Sequence, residues 1–133
     1  MYTIKNDIEN TIIIKKSKFI TFIYNINTIN EANDILNNLK NKYNDSTHIC
    51  YAYIIDNKEK YFDDGEPTGT AGLPILNVLK KNNLYNILAV VVRYFGGIKL
   101  GANGLTRAYS NSVNDTLKLT TLSLLEEVYL IEL

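Results

Sequence analysis

Runs of β-branched and aromatic residues mark the strands of this chain. Four such runs lie at residues 11–14, 19–24, 48–55 and 87–94, and this composition is typical of strands. The last run is apolar up to Arg93, which predicts a central strand that is buried on both faces. The short segment at 61–62 and the tail at 126–133 also have strand character.

Helical spacing of apolar positions predicts three helices between these strands. The first follows Thr28, which forms a capping box with Glu31. The second is expected to be capped by Thr70 and to hold Pro74 in its first turn, and the third is expected to begin near Ala102. The order of elements indicates an α+β fold, with the helices packed against one face of a mixed β-sheet.

Composition narrows the class of protein. The chain has 133 residues and a formal net charge of zero, which predicts one domain with no bulk attraction to nucleic acid or anionic lipid. No apolar run approaches the ~20 residues of a membrane span, and the amino terminus lacks a signal-peptide pattern. A single cysteine and a single histidine argue against a structural zinc site. We therefore expect a cytoplasmic protein with no membrane association, no metal and no cofactor.

Glycine and arginine are confined to one stretch of this chain, residues 63–109. All seven glycines, both prolines and both arginines lie there. Outside this stretch, asparagine occupies the turn positions and lysine supplies the positive charge. Glycine is required where the backbone has a positive φ angle or where another group approaches closely. Arginine is required for two-pronged binding of an anion or carboxylate, which lysine cannot reproduce. The stretch therefore contains the candidate site.

The second half of this stretch predicts an anion-binding loop. Residues 86–109 contain no acidic side chain, and a glycine-rich turn leads from a strand into a helix. Such a turn presents free amides at the positive end of a helix dipole. Its spacing matches neither a P-loop nor a dinucleotide-binding fingerprint. The candidate ligand-binding residues are Arg93, Gly96, Gly97, Lys99, Gly101, Asn103, Gly104 and Arg107.

The carboxylates of Asp63, Asp64 and Glu66 allow three readings. They could pair with Arg93 and Arg107 and fix the turn to the helix, or they could orient the arginines for a ligand. They could instead hold Mg²⁺ or act as an acid–base pair. We expect the carboxylates and arginines to lie on one face with at least one contact between them, and Glu66 is the favoured acid.

His48 and Cys50 lie two residues apart on a predicted strand, so their side chains point to the same face. A nucleophilic Cys–His pair would need hydrogen-bond contact between them and a polarising third group. A cysteine in such an apolar run is more often a small core residue.

Four motifs resemble the signature of the Impact family, in its YigZ-like branch. They are KSKF at 16–19, HICYAY at 48–53, DDGEPTGTAGLPIL at 63–76 and VVRYFGGIKLGANGLTRAY at 91–109. The resemblance implies the fold of the second domain of ribosomal protein S-five, and it adds His48, Thr70, Tyr94 and Tyr109 to the motif positions. Asn103 stands where the family usually has glycine, and asparagine tolerates left-handed backbone. Residues 1–133 are expected to form a single Impact N-terminal-like domain, without the usual C-terminal ferredoxin-like domain, either as a single-domain member or as a fragment of a two-domain protein.

The resemblance implies a connection with translation, because the eukaryotic relatives restrain the amino-acid-starvation kinase by binding its activator. Our first hypothesis is a non-enzymatic module that binds RNA or a ribonucleoprotein, or another ribosome-associated partner. The second is an enzyme or small-molecule binder for a nucleotide or phosphometabolite. The third is a protein-interaction regulator of a stress-kinase pathway, with Tyr94 and Tyr109 as anchors. A proline dipeptidase activity finds no support, since the metal ligands it requires are missing from the sequence.

Overall fold

The computed structural model describes residues 1–120 and the backbone of residues 122–124. The strand expected at 126–133 lies outside these residues. The elements in chain order are β1 (Tyr2–Ile4), β2 (Ile8–Ile14), β3 (Ser17–Asn25), α1 (Ile29–Lys42), β4 (His48–Ile55), β5 (Lys58–Phe62), α2 (Gly72–Lys81), β6 (Ile87–Tyr94), α3 (Gly101–Leu117) and β7 (Leu122–Leu124).

The main sheet has five strands in the order β2-β3-β6-β4-β5, and β1 pairs separately with β7. The predicted α+β class is confirmed. The prediction of a mixed sheet is wrong for these five strands, because every neighbouring pair is antiparallel. The reason lies in β6, which inserts between β3 and β4 and runs opposite to both. Helix α1 joins β3 to β4, so these two strands run in the same direction without pairing directly.

Helices cover both faces of the sheet, whereas the sequence predicted cover on one face. Helix α1 packs Ala32, Leu36 and Leu39 on the face that contains Val90 and Val92 of β6. Helices α2 and α3 pack on the opposite face. The physical reason is the central strand itself: its residues are apolar on both faces, and each face must be removed from water. None of the described helices is both long enough and apolar enough to span a bilayer.

Helix α1 begins as predicted, but helix α2 does not. The Thr28 hydroxyl accepts a hydrogen bond from the Glu31 amide at 3.1 Å. Helix α2 begins at Gly72 after an Ala71 N-cap that supplies no side-chain bond. The hydroxyl of Thr70, the predicted cap, donates instead to the Pro67 carbonyl at 2.6 Å. An Asp63 carboxylate, described below, takes the capping role because it accepts the free amides directly.

Candidate functional site

A cleft of about 420 Å³ opens where the carboxyl end of β6 meets the start of α3. Its floor carries charged side chains, and its rim carries an exposed aromatic ring and an exposed lysine. The lining residues are Thr47, His48, Glu66, Pro67, Arg93, Phe95, Lys99, Leu100, Gly101, Ala102 and Leu105.

A buried ion pair forms the floor of the cleft. Arg93 Nη1 donates to Glu66 Oε1 at 3.0 Å and to Oε2 at 2.8 Å, and the two side chains are 6% and 3% exposed. Arg93 Nη2 donates to Ser17 Oγ at 3.3 Å. The predicted carboxylate–guanidinium contact is therefore confirmed, with the predicted acid. The Arg93 Nε atom is buried and has no hydrogen-bond partner among the described residues.

Glu66 gathers two further partners. The hydroxyl of Tyr109 donates to Glu66 Oε2 at 2.5 Å, and His48 Nε2 lies 3.3 Å from Oε1. Burial, with the nearby Cys50 and Glu66, raises the pKa of Tyr109 far above its ordinary value, so its hydroxyl keeps the proton that it donates. Tyr109 is fully buried, and the expectation that it anchors a partner at the surface is wrong. Its hydroxyl was needed inside, where a buried carboxylate requires donors.

His48 and Cys50 do not form a nucleophilic pair. His48 Nδ1 lies 2.7 Å from the Asp64 carbonyl oxygen, and since a carbonyl only accepts, this nitrogen donates. The Cys50 thiol donates to the Asp63 carbonyl at 3.1 Å, and burial raises its pKa well above the usual range. Cys50 is thus a protonated core residue rather than a nucleophile.

The two aspartates fix the backbone rather than face the cleft. Asp63 accepts hydrogen bonds from the amides of Gly69, Ala71 and Gly72 at 2.9, 3.2 and 2.8 Å. Asp64 Oδ2 accepts from the Ile49 amide at 2.7 Å. Neither pairs with a guanidinium within the described part of the chain. No group of three or more potential metal ligands occurs among the described residues. The geometry of these residues therefore gives no support to the hypothesis that the carboxylates hold Mg²⁺.

The glycine-rich loop shows both features that require glycine, a close approach of another backbone and positive φ angles. Gly96 lies against the β2–β3 turn, where an added Cβ would overlap the Lys16 backbone. Gly97 and Gly101 have φ angles of +91° and +75°, which glycine adopts at little cost. Asn103 lies in the first turn of α3 and is not at a positive φ angle, so this position makes no demand for glycine.

The start of α3 lies at the cleft without a side-chain cap. The helix begins at Gly101, one residue before the predicted start, and its first turn carries no acidic residue. Gly101 and Ala102 line the cleft beside Lys99, whose side chain is exposed. The start of α3, which is the positive end of its helix dipole, and the exposed Lys99 thus lie at a single opening.

Arg107 lies apart from this cleft. Its exposed side chain lines a second, smaller groove of about 170 Å³ together with Ile14, Lys15, Leu100, Gly104, Ala108 and Asn111. The two depressions share Leu100, and they hold only part of the predicted binding set. Arg93, Lys99 and Gly101 line the cleft, Gly104 and Arg107 line the groove, and Gly96, Gly97 and Asn103 line neither. Motif residue Tyr94 lies near the cleft and donates to Asp45 at 2.7 Å.

Two residues that contact Arg93 were missed as candidates from the sequence. Ser17 accepts from Arg93 and from the Gly96 amide at 3.2 Å, and Phe95 is 46% exposed beside the arginine. Ser17 lies within the KSKF motif, which was a usable signal. Phe95 gave none, since its exposure depends on the loop that follows β6.

Known proteins resemble this chain closely. The model of the Impact N-terminal domain matches residues 15–117. IMPACT family member YvyE of Bacillus subtilis is 49% identical over 119 residues, covering 87% of this chain and 55% of its own length. IMPACT family member YigZ of Escherichia coli is 41% identical over 113 residues, covering 81% of this chain and 55% of its own length.

A solved structure of a hypothetical protein superposes with a TM-score of 0.87 at 35% identity, covering 92% of this chain and 62% of the other. This chain spans about half the length of the two curated relatives, 55% in each case. The match over residues 15–117 and the identities to the relatives show that the chain belongs to the Impact family, within its N-terminal domain.

Proposed function

We propose that this chain is a non-enzymatic binding module, connected with translation or its regulation, that holds RNA or a ribonucleoprotein at the cleft. One observation carries the proposal: the uncapped start of α3, the exposed Lys99 and the buried Arg93 converge on one opening. The only carboxylate among its lining residues is Glu66, which Arg93 neutralises. An opening of this composition favours a phosphate group.

Family membership supports the connection with translation. The Impact family includes eukaryotic regulators of translation, and this chain contains the Impact N-terminal domain. Family membership alone does not fix the ligand, because related folds carry unrelated functions. The chemistry of the cleft supplies the further argument for an anionic partner.

The non-enzymatic character rests on how the reactive groups are used. Asp63 is occupied by three backbone amides, Glu66 by Arg93 and Tyr109, and Cys50 remains a protonated thiol. General acid–base or nucleophilic catalysis requires such groups to be within reach of a substrate. Among the groups that line the cleft, Glu66 is held by these bonds and His48 Nδ1 donates to the Asp64 carbonyl. The exposed Lys99 and the helix-start amides are left to bind an anion.

A salt titration with labelled oligouridylate tests this proposal. Lys99→Ala should weaken binding and flatten the dependence of log K on log salt by about 0.7, the value for one single-strand phosphate contact. Lys81→Ala, at the exposed end of α2, removes the same charge elsewhere and should leave the slope unchanged. The proposal is wrong if the wild type binds no RNA at low salt, or if the two variants behave alike.

A small phosphorylated ligand is the second candidate, and the size of the cleft favours it. The volume of about 420 Å³ lies within the range of about 300–1,000 Å³ of small-molecule sites. A nucleotide or sugar phosphate at 100 times its Kd should stabilise the fold by about 2.7 kcal/mol. A thermal-shift screen measures this directly, and a screen without any shift argues against this candidate.

A protein partner is the third candidate, and two exposed apolar side chains beside the loop favour it. Phe95 and Ile98 are 46% and 42% exposed, and exposed aromatic residues often anchor protein interfaces. A pull-down with and without nuclease separates the candidates: a protein partner survives the nuclease, whereas an RNA-bridged one is lost.

A further inference from the structure

The turn between β2 and β3 has an unusual backbone for its residue type. Lys15 and Lys16 have φ angles of +47° and +68°. All other non-glycine residues at positive φ in the described chain are aspartate or asparagine: Asp56, Asp64, Asn83 and Asn86. Asparagine and glycine are the preferred residues of a two-residue hairpin turn of this kind, and lysine has no such preference.

Two lysines at strained positions point to a demand on their side chains. The chain uses asparagine at positive φ angles in other turns. Asparagine would relieve the strain in the β2–β3 turn as well, yet lysine occupies both positions. Strained backbone persists mostly where the side chain or the geometry serves a function. The positive φ angles of Lys15 and Lys16 therefore indicate a role for their two ammonium groups.

The turn lies beside the candidate site. The Lys16 backbone lies directly against Gly96 of the glycine-rich loop. Lys15 lines the smaller groove opposite Arg107 of α3, and no carboxylate is among the lining residues of that groove. The turn therefore adds two cations to the surface that already presents Lys99 and Arg107.

The cations of this surface have no acidic partners in the part of the chain that the structure describes. Lys15, Lys16, Lys99 and Arg107 are exposed, and none of the ion pairs among the described residues includes them. A cluster of unpaired cations on one surface of a protein with zero net charge is a local positive patch. The patch has the charge complementary to a polyanion.

We propose that a single strand of RNA crosses this surface from the cleft into the groove, over Leu100, which lines both. Its phosphates contact Lys99 on one side and Lys15, Lys16 and Arg107 on the other. One base stacks on the exposed ring of Phe95 at the rim of the cleft. This inference rests on the proposed function and adds the path of the strand, the role of the turn and the stacking platform. A single strand is favoured because its bases are free to stack on an aromatic ring while cations follow the backbone.

The decisive variant replaces the two turn lysines with the residues that the turn prefers, Lys15→Asn with Lys16→Gly. Thermal unfolding should show a fold that is retained or more stable, because the strain is relieved. Oligouridylate binding should nevertheless weaken about 25-fold at 0.1 M salt, since two lost phosphate contacts remove about 1.4 from the salt slope. Arg107→Ala should weaken binding about fivefold by the same reasoning.

The matched control is Lys40→Ala with Lys81→Ala. It removes the same charge from the exposed ends of α1 and α2 and should leave binding within about twofold of the wild type. If the turn variant binds RNA like this control while Lys99→Ala still weakens binding, the path over the turn is wrong and the proposed function stands. If the wild type binds no RNA at low salt, both are wrong.

Phe95→Ala and inorganic polyphosphate test the stacking. The ring should contribute about tenfold to oligouridylate affinity and nothing to polyphosphate, which has no bases. An RNA affinity that Phe95→Ala leaves unchanged would overturn the proposed strand and assign the patch to polyanions in general. An interface for a protein would instead show as weak binding of both polymers by wild type and variants alike, which also overturns the inference.

Discussion

Removal of Glu66 should destabilise this protein more than any surface substitution. The carboxylate is 3% exposed and holds the guanidinium of Arg93 through two hydrogen bonds. It also accepts from Tyr109 and contacts His48. Glu66→Ala leaves the buried arginine without its carboxylate, and breaking a buried pair in this way costs about 3–5 kcal/mol. Domains are stable by only about 5–15 kcal/mol, so the loss is a large fraction of the total.

Urea unfolding measures this cost. With a slope of about 1.5 kcal/mol per molar urea, the midpoint of Glu66→Ala should fall by about 2–3 M. The matched control is Glu59→Ala, which breaks the exposed pair with Lys80 at 3.4 Å and should cost about 0–1 kcal/mol. A double-mutant cycle with Arg93→Ala separates the pair from other effects. The double variant should be more stable than the sum of the single losses predicts, by about 1–3 kcal/mol.

Two results would refute this reasoning. The first is a loss for Glu66→Ala that is no larger than the loss for Glu59→Ala, at an unchanged urea slope. The second is strict additivity of Glu66→Ala and Arg93→Ala, which would mean that the two side chains contribute independently. Either result would show that the buried pair of Arg93 and Glu66 is not what stabilises the motif.

Three further predictions concern single groups. The Cys50 thiol should not react with Ellman's reagent in the native protein and should react on unfolding, because burial raises its pKa and excludes the reagent; reaction of the folded protein at the rate of a free thiol would contradict this. The hydrogen bond to Asp45 raises the pKa of Tyr94 to about 12, so the stability from this pair is present below the ordinary pKa of 10.0 and is lost as pH rises through 12. Asp45→Asn should return the Tyr94 titration toward 10.0, as read from phenolate absorbance against a Tyr94→Phe reference. Gly96→Ala places a Cβ on the Lys16 backbone and should cost about 1–3 kcal/mol by thermal unfolding; an unchanged melting temperature would show that the turn moves freely.

Local patterns predicted the elements of this fold well, and long-range pairing poorly. The Thr28 cap of α1 and the buried strand at Ile87–Tyr94 follow from neighbouring residues, and the structure contains both. The antiparallel order of the sheet depends on where β6 inserts, and no short stretch of sequence encodes that position. The cover on both faces was nevertheless implicit in the sequence, since a strand that is buried on both faces needs a layer on each side.

In the candidate site, too, some contacts could be predicted from the sequence and others could not. The contact between Arg93 and Glu66 was predictable, because a buried arginine in an acid-free segment must find its acid elsewhere. The cap of α2 was not, since Asp63 reaches the amides of Ala71 and Gly72 across eight and nine residues. Capping rules consider the residue next to the helix, and here that residue is an alanine. A loop that folds back on itself lies beyond such rules.

The two arginines explain why one part of the motif is structural and the other is available to a partner. Arg93 lies on the same face of β6 as Val91 and pairs in register with the fully buried Phe19, so its side chain enters the core and requires Glu66. Arg107 falls outside the stripe of α3 that contains Leu105 and Ala108, and its side chain is exposed. The fold thus accounts for the buried arginine through its ion pair and gives no reason for the exposed one, in a chain that uses lysine for nearly all its other cations. An exposed arginine that the fold does not require is the residue expected where a ligand needs a planar, two-pronged donor group, which agrees with the proposal that the groove is part of a binding surface.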